Sequence, residues 1–194
     1  MHKIIEETRK FVFEKYSDYN GTFGPIFMKC VTEESIRLAA QNGDPDMNMP
    51  ALVLGIYLHD IGRTITDSKE HATQGRKIAQ SFFDMIGMKD RKIREIVFDC
   101  IQNHGSKATP TTKEGKLVQF IDKAVLIQPK ILKLYYESLL KEHDREAAQQ
   151  MIVNKLEKWY DSLGTRKHEI EDDYKKCLAY CSPSPPMTEI SFIE

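Results

Sequence analysis

A histidine and an aspartate lie side by side, as His59 and Asp60, at the end of an apolar segment of the chain. Residues 51–63 read Ala-Leu-Val-Leu-Gly-Ile-Tyr-Leu-His-Asp-Ile-Gly-Arg, which predicts a buried helix. Imidazole and carboxylate groups are costly to bury unless they are paired or bind a metal ion. The pair therefore predicts a polar site with partners from elsewhere in the chain. Gly62 is expected to let the chain leave the helix.

Three further polar residues lie on faces that helical periodicity directs inward. His71 shares an apolar helix face, His104 continues the apolar stripe of the next helix, and Asp122 lies among apolar residues further on. Each of them alone is more often a hydrogen-bonded core residue or a paired surface residue than a ligand. Together they point to a site built from the ends of several helices. The candidate metal ligands are His59, Asp60, His71, His104 and Asp122.

This mixture of imidazole and carboxylate groups suits a divalent transition metal, namely Mn, Fe, Co, Ni or Zn, better than Ca or Mg. His143 and His168 lie in charged runs and are interpreted as solvated surface residues. The 4 cysteines show no Cys-x-x-Cys spacing. They are interpreted as reduced thiols of a cytoplasmic protein rather than as a zinc site.

The elements that must position these groups are helical by their periodicity. The chain has 194 residues, of which 41% are hydrophobic and 29% charged, which is typical of a globular domain with a sizeable core. A net charge of -1 does not favour a nucleic-acid partner. The apolar runs are too short to cross a membrane, and the charged N-terminus lacks the apolar core of a signal peptide. We therefore expect no membrane partner and a cytoplasmic location.

We expect one all-α domain over residues 1–194. It would comprise a motif-bearing core over about 25–130, a helical extension over about 131–180 and a tail over 181–194. Ser68 is expected to cap the fourth helix, and Pro129 to kink or divide a long helical stretch. The predicted helices span about 3–16, 26–41, 50–60, 69–85, 90–104, 115–142, 144–162 and 166–180.

The order and spacing of four segments resemble the HD superfamily of metal-dependent phosphohydrolases. Residues 58–63 resemble its eponymous motif, and residues 70–79 its His-x-x-x-Gly segment. Residues 101–105 resemble its helix-ending histidine, and residues 114–124 its final aspartate motif. The resemblance implies an HD-type helical bundle with one or two metal ions. It also implies hydrolysis of phosphate esters or nucleotides, so the expected partner is a small phosphorylated substrate.

Transferred residue by residue, the resemblance implies that His59, Asp60 and Asp122 hold a metal ion. His71 and His104 match histidines that serve a second metal in binuclear members and that can face the substrate in mononuclear ones. Asp60 would also orient or deprotonate the attacking water. Arg63 stands where many members have a lysine, and is the first candidate for binding phosphate charge. The further candidates for phosphate binding are Lys107, Lys113 and Lys123.

The sequence departs from the family at one position. The family's first ligand is a histidine on the preceding helix, and residues 27–39 fit that pattern with Phe27 in its place. Phenylalanine cannot bind a metal ion. Three hypotheses follow: a phosphohydrolase, a degenerate HD domain that binds a phosphorylated ligand or partner without turnover, and a structural module with a hydrogen-bonded polar network. The C-terminal helices either cover the core or form a homodimer surface.

Overall fold

The computed structural model describes residues 1–19, 24–66 and 68–181. Every regular element in these ranges is helical, so the predicted all-α class is confirmed. Within these ranges no helix combines the length and apolar character needed to cross a bilayer. The α-helices are α1 (His2–Ser17), α2 (Gly24–Asn42), α3 (Met49–Leu58), α4 (His71–Met85), α5 (Arg91–Asn103), α6 (Lys113–Ala124), α7 (Pro129–Leu139), α8 (Arg145–Ser162) and α9 (Glu171–Cys181).

The chain divides into two compact units, Met1–Val125 and Leu126–Glu194. The first unit holds α1 to α6, and the second holds α7 to α9. The expected single-domain organisation, with its core and helical extension, stays a prediction. All five candidate metal ligands lie in the first unit.

Helix α3 lies at the centre of the first unit. It packs against α1, α2, α5 and α6, and Leu52, Leu54 and Leu58 are fully buried. A helix that is apolar on all sides is stable only when its neighbours surround it. The side chain of Asn48 accepts a hydrogen bond from the N–H of Ala51 at 3.1 Å and so caps the first turn. The His59-Asp60 pair directly follows the C-terminal end of this central helix.

Helices α3 and α5 approach closely at a glycine. A Cβ atom on Gly55 would lie 2.8 Å from both the Cβ and the Sγ of Cys100. Only a residue without a side chain therefore fits at this crossing, and the short approach brings the end of α5 next to the end of α3.

A second glycine brings the segment after α3 against the start of α4. The chain forms a 3₁₀ turn over Ile61–Thr64, and a Cβ on Gly62 would collide with the carbonyl oxygen of His71. Among the described glycines, those with a positive φ angle are Gly24, Gly87 and Gly164. Gly62 therefore does not adopt the left-handed conformation of a helix-ending glycine. The expectation that Gly62 serves to release the chain from the helix was therefore wrong. Its function is close backbone contact, which places His71 beside Asp60.

The predicted cap of α4 was wrong. Helix α4 begins at His71 with Glu70 as its N-cap, while the Ser68 hydroxyl accepts a hydrogen bond from the N–H of Glu70 at 3.2 Å in the preceding turn. The carbonyl oxygen of Ser68 accepts the backbone N–H of His71 at 3.1 Å. This turn starts the helix two residues later than a serine cap would, and so makes His71 the first helical residue.

Two further predictions concern the C-terminal half. Pro129 divides the long helical stretch as expected, because it opens α7 after a 3₁₀ turn over Val125–Ile127. The helix predicted from residue 166 begins as a 3₁₀ segment, Gly164–Ile170, and becomes α-helical at Glu171. Arg166 and Glu169 pair there, with Nε 2.6 Å from Oε1. That i,i+3 spacing is the one at which side chains align in a 3₁₀ helix.

Candidate metal centre

The five candidate ligands meet at one place in the first unit. His59 and Asp60 directly follow α3, His71 opens α4, His104 ends α5, and Asp122 lies in α6. His59 and His104 are only 6% and 3% exposed. The convergence that the sequence predicted is therefore present, although metal binding by these residues stays a prediction.

The candidate ligands form two groups of three, each with its ligand atoms within 4.8 Å of one another. The first group is Asp60, His71 and His104, and the second is His59, Asp60 and Asp122. Asp60 belongs to both, because Oδ1 faces His71 and His104 while Oδ2 faces His59. One carboxylate thus joins two places for a cation.

The first group is the tighter of the two. Nε2 of His71 lies 3.0 Å from Nε2 of His104, and Oδ1 of Asp60 lies 3.3 and 3.5 Å from these two nitrogens. In the second group, Nε2 of His59 lies 3.8 Å from Oδ2 of Asp60 and 3.7 Å from Oδ1 of Asp122.

The backbone sets the tautomer of all three histidines. Nδ1 of His59, His71 and His104 each contacts the carbonyl oxygen three residues earlier, at 2.9, 2.8 and 2.7 Å respectively. A carbonyl oxygen can only accept a hydrogen bond, so Nδ1 carries the proton in each ring. Nε2 of the neutral ring is then a bare lone pair that points into the site, which is the arrangement of metal-binding histidines.

This tautomer makes the first group unfavourable without a cation. Two Nε2 lone pairs face each other at 3.0 Å between His71 and His104. Oδ1 of Asp60 adds a third acceptor, and on its other side Nε of Arg63 lies 2.8 Å away. Three acceptors this close repel one another unless a proton or a metal ion lies among them. A divalent metal ion fits this donor set.

Neighbouring cations and imidazoles keep the two carboxylates ionised. Burial raises the pKa of Asp60, but His59 and the other imidazoles together with Arg63 outweigh it, so the pKa lies well below its ordinary value. Burial likewise raises the pKa of Asp122, and Lys123 and His59 reverse the effect. Both carboxylates are therefore acceptors across the physiological pH range.

The second group already holds positive charge. Burial lowers the pKa of His59, but the carboxylates of Asp60 and Asp122 outweigh it and raise the pKa above its ordinary value. Lys123 forms an ion pair with Oδ2 of Asp122. The ammonium group of Lys123 thus offsets part of the negative charge that a metal ion would otherwise meet there.

Of the candidates for phosphate binding, Arg63 and Lys123 lie at the site. Nε of Arg63 is 2.8 Å from Oδ1 of Asp60, and the Arg63 side chain is 27% exposed. Lys113 lies 3.5 Å from Asp44 and 3.4 Å from Asp46, and is thereby paired elsewhere. Lys107 is an exposed loop residue.

The sequence analysis missed Asp99, which holds the loop after α5. Its carboxylate accepts hydrogen bonds from Asn103 at 2.7 Å, from the Thr112 hydroxyl at 2.6 Å and from the Thr111 N–H at 3.1 Å. Burial raises the pKa of Asp99, but these hydrogen bonds outweigh it, so the pKa lies below its ordinary value. The available signal was an aspartate directly beside Cys100, within the otherwise apolar run 96–101.

It also missed two tyrosines at the end of α1. Tyr16 is 2% exposed and Tyr19 is 5% exposed. Burial, and then the negative charge of Asp60, raise the pKa of Tyr16 well above its ordinary value. Tyr19 is close enough to Arg63 to raise the pKa of the guanidinium group. The sequence placed Tyr16 on an apolar helix face, but nothing local indicated which site it would adjoin.

Comparison with protein families matches residues 31–125 to the HD domain. Searches of curated proteins and of solved structures found no significant match. The matched segment contains all five candidate ligands. It begins after Phe27, a buried residue of α2, so the replacement of the first ligand by Phe27 stays a prediction. Residues 31–125 of this all-helical chain are thus identified as an HD domain.

Proposed function

We propose that this chain is a metal-dependent phosphohydrolase that acts on a nucleotide or another small phosphorylated molecule. The family supplies the class of chemistry. The observation that carries the proposal is the cluster of three acceptor atoms at 3.0 to 3.5 Å on Asp60, His71 and His104. A proton or a metal ion among them relieves their repulsion, and a divalent ion with imidazole and carboxylate ligands is suited to hydrolysing phosphate esters.

Two sets of residues would hold metal: Asp60, His71 and His104 in one, and His59, Asp60 and Asp122 in the other. A transition metal, namely Mn, Fe, Co, Ni or Zn, matches these ligands. When bound, such an ion supplies the Lewis acidity that activates water and polarises phosphoryl oxygens.

The chain's own residues would do the rest. Asp60 stays ionised because imidazoles and Arg63 surround it, so it can accept a proton from a water molecule or fix that molecule's orientation. Arg63 is partly exposed beside Asp60, and a guanidinium group suits the non-bridging oxygens of a phosphate. We propose that Asp60 and Arg63 are the catalytic residues.

The test is hydrolysis of a chromogenic phosphodiester and a panel of nucleotides, with Mn²⁺, Co²⁺ or Ni²⁺ supplied to metal-stripped protein. We expect activity in the parent and a loss of at least about a hundredfold in His59→Ala and Asp60→Ala, the usual cost of removing a transition-state contact. His143→Ala is the matched control, because His143 is exposed. A parent that binds the metal ion and hydrolyses none of these compounds would exclude the proposal for them.

Phe27 favours one alternative, a degenerate HD domain that binds a phosphorylated ligand or partner without turnover. If this alternative holds, the parent neither binds metal tightly nor hydrolyses the panel, and Phe27→His gains both properties. Equal activity in parent and Phe27→His would reject it. Metal content by elemental analysis distinguishes the two proposals before any substrate is known.

Location and assembly belong to the same proposal. Cys30, Cys100, Cys177 and Cys181 are all free thiols, which suits the reducing cytoplasm. A homodimer through the C-terminal helices stays a prediction, and sedimentation equilibrium of the purified chain tests it.

A further inference from the structure

We propose that Gln119 is a positioning residue of the candidate metal centre. Its side chain fixes the backbone on both sides of His104, so the affinity for a divalent ion depends on Gln119 although it contributes no ligand atom. The inference rests on the metal centre under the proposed function.

The side-chain amide of Gln119 meets three backbone carbonyl oxygens of the segment that ends α5. Its Nε2 lies 2.7 Å from the oxygen of Gly105, 3.0 Å from that of Ala108 and 3.3 Å from that of Asn103. An amide nitrogen carries two hydrogens, so the two shorter contacts use them and the third is shared. Asn103 and Gly105 are the chain neighbours of His104, and both are therefore held from α6.

The position of these carbonyl groups explains why a side chain is needed there. Helix α5 ends at Asn103, and the last carbonyl groups of a helix have no partner within it. Nδ1 of His104 bonds to the carbonyl oxygen of Ile101 at 2.7 Å, and Gln119 reaches that of Asn103. The imidazole of His104 is thus tied to the backbone of its own turn, so whatever holds this turn also holds the ring.

The ring of His104 has little freedom to be misplaced. His104 is only 3% exposed, and its Nε2 lies 3.0 Å from Nε2 of His71 and 3.5 Å from Oδ1 of Asp60. A metal site needs its ligand atoms within about 0.5 Å of the productive geometry. A small shift of the turn that carries His104 would therefore reduce the affinity for an ion.

The other end of the same loop has a separate support. The carboxylate of Asp99 accepts the backbone N–H groups of Thr111 at 3.1 Å and Thr112 at 2.8 Å. Loss of the Gln119 amide therefore frees the end of the loop at His104 and leaves the far end fixed. Gln119 also lies three residues before Asp122 on α6, which places both on one side of that helix. Helix α6 thus supplies one candidate ligand and positions another.

The test is a titration of metal-stripped protein with Mn²⁺ alone at pH 7, with the free ion counted by electron paramagnetic resonance. We expect Gln119→Met and Gln119→Glu each to weaken Mn²⁺ binding by about 10- to 100-fold, the usual cost of removing a group that orients a ligand. Both variants keep the length of the side chain and lose its N–H donors. The added carboxylate of Gln119→Glu would by itself favour a cation, so weaker binding in both variants identifies the lost hydrogen bonds as the cause.

The control separates positioning from a general loss of stability. Ile93 lies in the first turn of α5, at the end away from His104, and is 5% exposed. Ile93→Val removes a buried methylene group and lowers stability, but should change the Mn²⁺ affinity by less than about threefold. In metal-free protein, ¹H–¹⁵N spectra of the imidazole groups should show the His104 signals shifted in both Gln119 variants and unshifted in Ile93→Val. Circular dichroism checks that each variant is folded.

The positioning role is overturned by Gln119 variants that bind Mn²⁺ as tightly as the parent, or by His104 signals that stay in place. Weakening of the same size in Ile93→Val, or a parent that binds no Mn²⁺, would overturn it too. The proposed hydrolysis fails separately. A parent that binds Mn²⁺, loses affinity in both Gln119 variants and cleaves no phosphate ester refutes that activity and leaves the role of Gln119 intact.

Discussion

At the scale of single residues, the geometry of the site depends on hydrogen bonds to atoms outside it. His59, His71 and His104 aim Nε2 inward because Nδ1 of each is bonded to a backbone carbonyl oxygen. Asp99 similarly fixes the loop that follows His104, because its carboxylate accepts hydrogen bonds from the backbone N–H groups of Thr111 and Thr112. Such supporting groups decide whether ligand atoms are preorganised.

Asp99→Asn should lower the free energy of unfolding at pH 7 by about 1–3 kcal/mol, because a neutral amide replaces a carboxylate that accepts several hydrogen bonds. Those bonds hold the pKa of Asp99 below its ordinary value. The stabilisation is therefore present above the unfolded-state pKa of about 3.9 and is lost as the pH falls through the folded-state pKa. Urea denaturation at neutral and at acidic pH should show the difference between parent and variant shrinking towards acid.

The control for this comparison is Asp161→Asn, because the Asp161 side chain is 78% exposed. We expect it to leave the unfolding free energy nearly unchanged at either pH. A difference between parent and Asp99→Asn that stays constant from neutral to acidic pH would contradict the role given to the ionised carboxylate.

At the scale of elements, two close approaches bring the helix ends together. Gly55 lets α3 and α5 cross against Cys100, and Gly62 lets the Ile61–Thr64 turn lie on the start of α4. The turn and α4 share a backbone interface that also includes Gly75, whose Cβ would lie 3.3 Å from the nitrogen of Gly62. The candidate metal centre is thus positioned by glycines that contribute no ligand atom.

Gly62→Ala should destabilise the fold by about 1–3 kcal/mol or more, because the added methyl group meets backbone atoms that cannot rotate away. It should also weaken Mn²⁺ binding, since the collision is with the carbonyl group of His71. Urea denaturation measures the loss of stability. Titration of the metal-stripped protein with Mn²⁺ measures the loss of affinity.

Gly105→Ala is the matched control, because a Cβ at Gly105 would meet no atom within 4 Å. It should leave both quantities nearly unchanged. If Gly62→Ala behaves like Gly105→Ala, the close approach of the turn to α4 does not position the site.

At the scale of the whole molecule, the candidate metal centre ties together four helices of the first unit, whereas the second unit has a core of its own. Tyr160 and Tyr174 stack there with ring centroids 3.8 Å apart, and Ile152 and Leu156 are fully buried. Among the described residues of the second unit, the large exposed apolar side chains are Leu140 and Met151. This scattered pair forms no continuous apolar patch of the kind that marks an interaction site.

A bound ion should therefore raise the melting temperature. An ion at a hundred times its dissociation constant stabilises the folded state by about 2.7 kcal/mol. For a chain of this size, that free energy corresponds to roughly 5–11 °C. Thermal unfolding with Mn²⁺ and with a chelator measures the shift. Asp60→Ala removes the carboxylate shared by both groups and should abolish it, so an equal shift in that variant would place the stabilising ion elsewhere.

The sequence by itself determined what depends on local spacing. Helical periodicity predicted the helices, and Pro129 was correctly expected to divide α6 from α7. The order of the motifs identified the family, and the inward helix faces selected the residues that converge. These features follow from repeats of three or four residues and from the geometry of a single helix, so they can be read without knowing the packing.

Only the tertiary structure decided how the selected residues face one another. The contact of His71 with His104 joins positions 33 residues apart, and no local pattern indicates which atom of each ring is turned inward. The division of Asp60 between two groups, and the contact of Gly62 with α4, likewise depend on the angles at which helix ends meet. Packing sets those angles through side chains distant in the sequence. The candidate ligands could thus be predicted from the sequence, whereas their grouping into a tight and a loose site could not.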